Sequence, residues 1–340
     1  MTGWISLHIY YASNSDPMLL RCVGPLVADL RDRGLLRRWF FIRYWLEGPH
    51  VRLRLLPADE SAAEEVRLAA QEAIGAFLKN RPALYDASTA GAGDVYRQLY
   101  IAEYGEQRWD ETYGASGGMP FQPNNSVRGE AYEPEYDRYG GPAGVELAER
   151  HFEVSSNLVL RLLETTNAHV SSVRLGSSAQ LAAALCYAFL GTDERVARFF
   201  TDYRRFWENL HQESSDVYHS RFDEGFERVA TGLRGHLARL RDAVRDPDRA
   251  RLTALERGWV RHALALREEV VGLAASGALV FHRRSEDAPT TVTDPDIAFT
   301  VLLSSYVHMT NNRIGTSILD EIYLSYLMVR ALTDAEPVPA

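Results

Sequence analysis

The chain has 340 residues, 46% hydrophobic and 24% charged, enough apolar material for one large domain or two ordinary ones around a real core. A formal net charge of -9 argues against a general nucleic-acid binder, which needs a basic face, while leaving room for a local basic pocket. The only cysteines, Cys22 and Cys186, lie in apolar helical patterns, so neither a disulfide framework nor a CxxC metal pattern is present, and a reducing, cytoplasmic setting is expected. The start, MTGWISLHIYY, lacks the basic opening and long apolar run of a signal peptide, and no apolar stretch is read as reaching transmembrane length. Lys79 is the sole lysine. That leaves no good Schiff-base lysine and no phosphate-loop lysine, so anion recognition falls to arginine, whose fork of donors suits planar carboxylates.

In chain order, Trp4 to Tyr11 reads as a strand. Ser15-Asp16-Pro17 signals a helix start, and the apolar spacing from Met18 to Leu30 continues it until Gly34. Two strand-like runs follow, Trp39 to Trp45 and His50 to Leu56, joined by a turn at Glu47-Gly48-Pro49. The second alternates strictly: Val51, Leu53 and Leu55 face one way, His50, Arg52 and Arg54 the other. Ser61 to Leu78 is an amphipathic helix with acids in its first turn. Residues from about 81 to 129 read as irregular, with Gly/Ser-rich stretches and an undecided strand or short helix over Val95 to Tyr104.

Tyr132 to Gly141, YEPEYDRYGG, is a polar and aromatic segment closed by a glycine pair before Pro142. Beyond it, helices are expected over Val145 to Phe152, Ser155 to Thr166, Ser178 to Phe189, Asp193 to Leu210, Ser220 to Ala243, Asp248 to Gly272, Asp296 to Met309 and Ile318 to Leu332. The fold class is therefore α+β: a small, mostly antiparallel sheet with helices packed on it, and a largely helical C-terminal half. A single domain over 1–340 is expected, its sheet-containing part about 1–140 and its helical part about 141–340.

Reactive polar residues concentrate in separate places: the strand face of His50, Arg52 and Arg54; Glu135 and Arg138; and His308 with Arg313, where an apolar helix meets an Asn-Asn-Arg turn. Arginines at alternate positions of one strand make a ready carboxylate clamp. A histidine that titrates near neutrality suits proton transfer. No HExxH motif, histidine pair at helical spacing, Gly-x-Ser-x-Gly elbow or dinucleotide fingerprint occurs, so no metal and no organic cofactor is expected.

Taken together and in this order, HVRLR at His50–Arg54, YEPEYDRYGG at Tyr132–Gly141 and HMTNNRIG at His308–Gly315 resemble the C-terminal glutamate-elimination domain of class I lantibiotic dehydratases, in the standalone form of thiopeptide-type bacteriocin pathways. The resemblance runs from the first strand to the last helix. It implies a carbon-oxygen lyase that removes glutamate from glutamylated Ser or Thr of a ribosomal precursor peptide, leaving dehydroalanine or dehydrobutyrine. It also implies two partners, the precursor with its leader and a separate tRNA-dependent glutamylating subunit, whose much longer domain this chain lacks. Direct nucleic-acid or membrane contact is not expected; a homodimer is suggested by analogy.

By the same resemblance, Arg52, Arg54 and Arg138 hold glutamate and the enolate, Glu135 takes the glutamyl amine, and His308 does acid/base work. His50, Tyr132 and Arg313 are secondary, substrate-binding candidates: His50 as an orienting group, and Arg313 also as a structural partner for Asp320 or Glu321. The competing expectations are a thiopeptide pyridine synthase, which joins two dehydroalanines by aza-[4+2] cycloaddition and expels the leader, and a non-catalytic leader-binding subunit.

Overall fold

The computed structural model describes residues 3–84, 92–116, 118–211, 216–282 and 288–334. The chain divides into two compact units, Met1–Glu133 with Glu153–Thr166 (unit 1) and Pro134–Phe152 with Asn167–Ala340 (unit 2).

Unit 1 opens with strand β1 (Ile5–Tyr10), followed by helix α1 (Asp16–Met18), a π-helical turn at Leu19–Val23, and α2 (Gly24–Asp32). The hairpin β2 (Leu36–Tyr44) and β3 (His50–Pro57) turns through Glu47 and Gly48, both at positive φ (59° and 112°). Helices α3 (Ala63–Asn80), α4 (Ala92–Tyr104) and α5 (Glu106–Tyr113) and the short strand β4 (Ser126–Gly129) follow. The sheet order is β2-β3-β1-β4 and every pairing is antiparallel.

The period-2 alternation decides which side is core. Leu7, Ile9, Trp39, Phe41, Val51, Leu53 and Leu55 share one face and are buried, with α3 against β1 and β3 and α2 against β2. Each such side chain contributes roughly 1.5–3 kcal/mol by leaving water. The register then fixes the other face: Ser6 stands opposite Arg54, His8 opposite Arg52, and Tyr10 opposite His50.

The stretch from 81 to 129 is more ordered than its composition suggests. Most of the glycine-rich run at 87–93 lies outside the described residues, but Val95 to Tyr104 is helical, within α4, and α5 and β4 follow. Tyr100, Trp109, Tyr113 and Met119 form a satellite core, joined by Trp45 and Leu46 from the hairpin. Glu47 ties it to the turn by accepting from Tyr113 Oη (3.2 Å) and Gln122 Nε2 (2.7 Å). Aromatic burial, a tertiary effect, organises a segment whose local signals read as loop.

Unit 2 begins at α6 (Tyr136–Tyr139) and α7 (Gly141–Thr165). The sequence suggested two helices where α7 is one. Ser155 and Ser156 interrupt its apolar pattern, yet both are buried, and Ser156 Oγ accepts the Phe41 backbone N–H (3.2 Å). Residues up to Phe152 group with unit 2 and those from Glu153 with unit 1.

The remaining helices are α8 (Ser171–Leu190), α9 (Asp193–His211), α10 (Asp216–Arg245), α11 (Ala254–Ala275), α12 (Pro295–Ile314) and α13 (Ile318–Thr333), with a small hairpin of β5 (Val280–Phe281) and β6 (Thr290–Thr291) before α12. Thr253 and Ser317 head α11 and α13 with complete capping boxes, and the Asp294 side chain caps α12. By length and composition α8 could cross a membrane, which corrects the reading that no stretch is long and apolar enough. It is buried in unit 2 continuously from Leu181 to Phe189, against α10, α11 and α12, and is apolar all round because it is a core helix.

Candidate active site

In unit 1 the polar sheet face gathers His50, Arg52 and Arg54 with a residue that sequence reasoning passed over, His8. His50 is 5% exposed, and its Nδ1 lies 2.8 Å from the Gly48 carbonyl. A carbonyl only accepts, so Nδ1 carries the proton and Nε2 is left to accept from Arg52 Nε (3.2 Å). Burial first, with Arg52 and Arg54 adding to it against the Gly48 bond, pushes the imidazole down to about 4. A neutral ring is what Arg52 needs as an acceptor. The Arg52 guanidinium lies 3.6 Å over the Tyr44 ring, and Tyr44 Oη is hydrogen-bonded to Tyr104 Oη, so the satellite core reaches the cationic face.

His8 repeats the arrangement for the second arginine. Its Nε2 is 3.3 Å from Arg54 Nη2, and its ring stacks on His50 at 5.0 Å. Burial, and after it Arg52, Arg54 and His50, keep it far below its usual range, so it too is a neutral acceptor. The signal that could have found it is the Ser6, His8, Tyr10 alternation in β1.

Arg54 is only 5% exposed, and its Nε and Nη1 have no hydrogen-bond partner among the described residues. Burial chiefly, and then Arg52, lower its guanidinium to about 9, against the opposite pull of Tyr132 and Glu130. Its other neighbour is the Tyr132 ring, 5.5 Å away, which is wedged against Trp4 and Phe40. Among the described residues neither Arg52 nor Arg54 has a hydrogen bond or ion pair to a carboxylate. Buried donors without an acceptor are rare in folded proteins and call for an explanation such as a bound water or anion. Two neighbouring guanidiniums offer the donor geometry that suits an anion, and a carboxylate matches the planar fork.

In unit 2, Glu135 directly precedes the single turn of α6 and Arg138 lies within it. They form an ion pair at 3.3 Å with side chains 57% and 42% exposed, a geometry that contributes little to stability. What holds the turn is its neighbours. Tyr139 is buried between Phe152 (5.4 Å) and Tyr306 (6.2 Å). Gly140 ends the turn at φ 81°, where a Cβ would sit 2.9 Å from the Phe281 ring. The packing that anchors α6 uses the Tyr306 face of α12. His308 lies about 200° round that helix from Tyr306 at roughly 100° per residue.

His308 does not end its helix, as the sequence suggested: α12 runs on through Asn311, Asn312 and Arg313 to Ile314, and Gly315 closes it at φ 89°. Burial overrides polarity there. Arg313 is fully buried, donates to the Met309 carbonyl (2.7 Å), and lies 4.5 Å over the Phe152 ring. Desolvation lowers its guanidinium to about 9. Its immersion in the core is the setting of a structural residue. Asp320 serves the Ser317 capping box, and Glu321 turns to His308.

The His308 side chain is 20% exposed, packs on Trp207 at 4.7 Å, and holds Glu321 Oε1 at 3.0 Å from its Nδ1. Glu321 is 1% exposed, and Tyr203 Oη donates to its second oxygen. Neither Tyr203 nor Trp207, both on α9, was visible as a partner in the sequence, because helices remote in the chain bring them to His308. Among the described residues no group of His, Cys, Asp and Glu side chains is placed to hold a metal ion.

The fold and these groups define an α+β protein with an arginine-lined sheet face in one unit and a histidine–carboxylate pair in a helical one. The chain belongs to the family described as lantibiotic biosynthesis dehydratase C-term, which it matches over residues 4–332. No curated protein matches it in sequence. Among solved structures it is similar to the pyridine synthase TbtD from thiomuracin biosynthesis, at 20% identity and TM-score 0.70 over 97% of this chain and 98% of that one. TsrL is similar at 18% identity and TM-score 0.66, over 96% and 93%. The tRNA-dependent lantibiotic dehydratase MibB from Microbispora sp. 107891 is similar at 22% identity and TM-score 0.53, over 98% of this chain and 28% of that one.

Proposed function

We propose that residues 1–340 work as one elimination domain that removes glutamate from glutamylated Ser or Thr of a ribosomal precursor peptide. The observation that carries the reading is Arg54: a buried cation with donors lacking an acceptor among the described residues, splinted beside Arg52 by two neutral histidines. A glutamyl ester formed through its α-carboxyl keeps a free side-chain carboxylate and a free ammonium. Arg52 and Arg54 take the carboxylate, with His50 and His8 orienting them. Glu135 takes the ammonium. Arg138 stabilises the enolate that develops when the Cα proton leaves. His308 performs the proton transfer. The base takes the Cα proton, the Cα–H electron pair becomes the Cα=Cβ bond, and the Cβ–O bond breaks with its pair leaving on the glutamate carboxylate. Tyr132 shapes the Arg54 side of the anion site.

Family membership supports a precursor peptide as substrate and a separate tRNA-dependent enzyme as the source of the glutamyl group, in the cytoplasm where glutamyl-tRNA is found. A pyridine synthase is the second reading, favoured by the full-length likeness to TbtD. It does not require a glutamate grip, whereas the arginine face has the form of one.

The test is direct. Purified protein is incubated with a serine-glutamylated precursor peptide and the products are followed by mass spectrometry. Loss of glutamic acid with formation of dehydroalanine supports elimination. An intact glutamyl peptide, together with macrocyclisation of a dehydroalanine-bearing precursor, would establish the pyridine synthase reading instead.

A further inference from the structure

Glu321 is a carboxylate in the core of unit 2, 1% exposed, on a helix that the site residues do not otherwise use. Burying a carboxylate is unfavourable unless its lone pairs are occupied. Here both oxygens are engaged, one by His308 Nδ1 (3.0 Å) and the other by the buried Tyr203 hydroxyl. Trp207 packs on the His308 ring at 4.7 Å. We infer that Glu321 is the positioning residue of His308, and that Tyr203 holds Glu321 in turn. The inference rests on the reading of His308 as the proton-transfer group.

The chemistry follows from the hydrogen-bond inventory. An ionised carboxylate only accepts, so the imidazole presents Nδ1–H to it in either charge state. The proton exchanged with substrate therefore comes and goes at Nε2. Without Glu321, both tautomers become accessible and the ring is free to turn about its side-chain torsions. The ordered set is Tyr203 Oη–H to Glu321, Glu321 to His308 Nδ1–H, and His308 Nε2 to the substrate proton.

The experiment has two readouts. In ¹⁵N-histidine spectra of the full chain at neutral pH, His308 should carry its proton on Nδ1, and Glu321→Gln should erase that single-tautomer signature. With the serine-glutamylated precursor, Glu321→Gln should lower kcat by at least about 100-fold, within the range of positioned acid–base catalysis, with KM nearly unchanged. Tyr203→Phe keeps the ring packing, removes only the hydroxyl, and should lower kcat about tenfold. Far-UV circular dichroism checks that each variant is folded. If His308→Ala abolishes elimination while folded Glu321→Gln and Tyr203→Phe both turn over like wild type, the inference is overturned and the elimination reading stands. If His308→Ala itself turns over like wild type, the elimination role of His308 falls, and the inference with it.

Discussion

Replacing Arg54 by methionine should make the unliganded protein more stable while destroying its activity. The guanidinium is 5% exposed, carries donors without acceptors among the described residues, and lies beside a second arginine. Its fall from the usual arginine range to about 9 corresponds to roughly 5 kcal/mol lost in keeping it charged, at about 1.4 kcal/mol per tenfold change in proton affinity. Relaxation reduces such figures, and exchanging buried charge for apolar volume typically returns about 1–4 kcal/mol. The sign is fixed by linkage. The folded-state value lies below the unfolded one, so the penalty is fully present below about pH 9, shrinks as the pH rises toward the unfolded value, and is complete at pH 7. Equilibrium urea unfolding at pH 7 should therefore give Arg54→Met a free energy higher than wild type by about 2 kcal/mol. Glutarate, a dicarboxylate without the ammonium, should raise the unfolding midpoint of wild type but not of the variant, because only a binding-competent folded state gains from ligand. A variant less stable than wild type by 1 kcal/mol or more would show that Arg54 is a structural residue already satisfied in the fold, and the anion-site argument would fail.

Arg138→Met should behave differently: elimination is lost, but stability stays within about 0.5 kcal/mol of wild type, since its exposed pair with Glu135 contributes little. His8→Ala should weaken glutarate binding about tenfold by freeing Arg54, and His8→Gln, which restores an acceptor, should recover part of it; isothermal titration calorimetry reads both. Acid should destabilise both units. His50 and His262 are held down to about 4, mainly by burial, and His8 and His151 are held well below the usual range by the same first cause. For a group whose folded-state value is depressed, stability is complete above about pH 6.5 and lost as pH falls toward the folded value, by roughly 1–2 kcal/mol at pH 5 for each of His50 and His262. Urea midpoints measured between pH 7.5 and 5 should drop accordingly, and a flat profile would contradict neutral burial. Gly140→Ala, which forces a side chain to φ 81° and a Cβ to 2.9 Å from Phe281, should lower the unfolding free energy by roughly 2 kcal/mol.

Much of the sheet was legible because alternation is a local code. HVRLRLL placed Val51, Leu53 and Leu55 in the core and His50, Arg52 and Arg54 opposite them, and the paired strands follow that assignment. The helices were legible where apolar spacing was clean. They were misread where a polar residue was buried, as at Ser155 and Ser156 in α7 and at Asn311 and Arg313 in α12. The segment holding α4 and α5 failed for the converse reason: its order comes from aromatic contacts among Tyr100, Trp109 and Tyr113 and with the β2–β3 hairpin, which no local window contains.

By itself, the sequence determined the arginine strand face, the Glu135–Arg138 spacing and the presence of His308 on an apolar helix, since each is a pattern within a few residues. Tertiary structure decided which groups complete them. His8 meets Arg54 only through the β1–β3 register, Tyr44 reaches Tyr104 only through the satellite core, and Glu321 and Tyr203 meet His308 only because α9, α12 and α13 pack together. A hydrogen bond needs atoms within about 3 Å, and it is the fold that brings side chains so far apart in the chain to that distance.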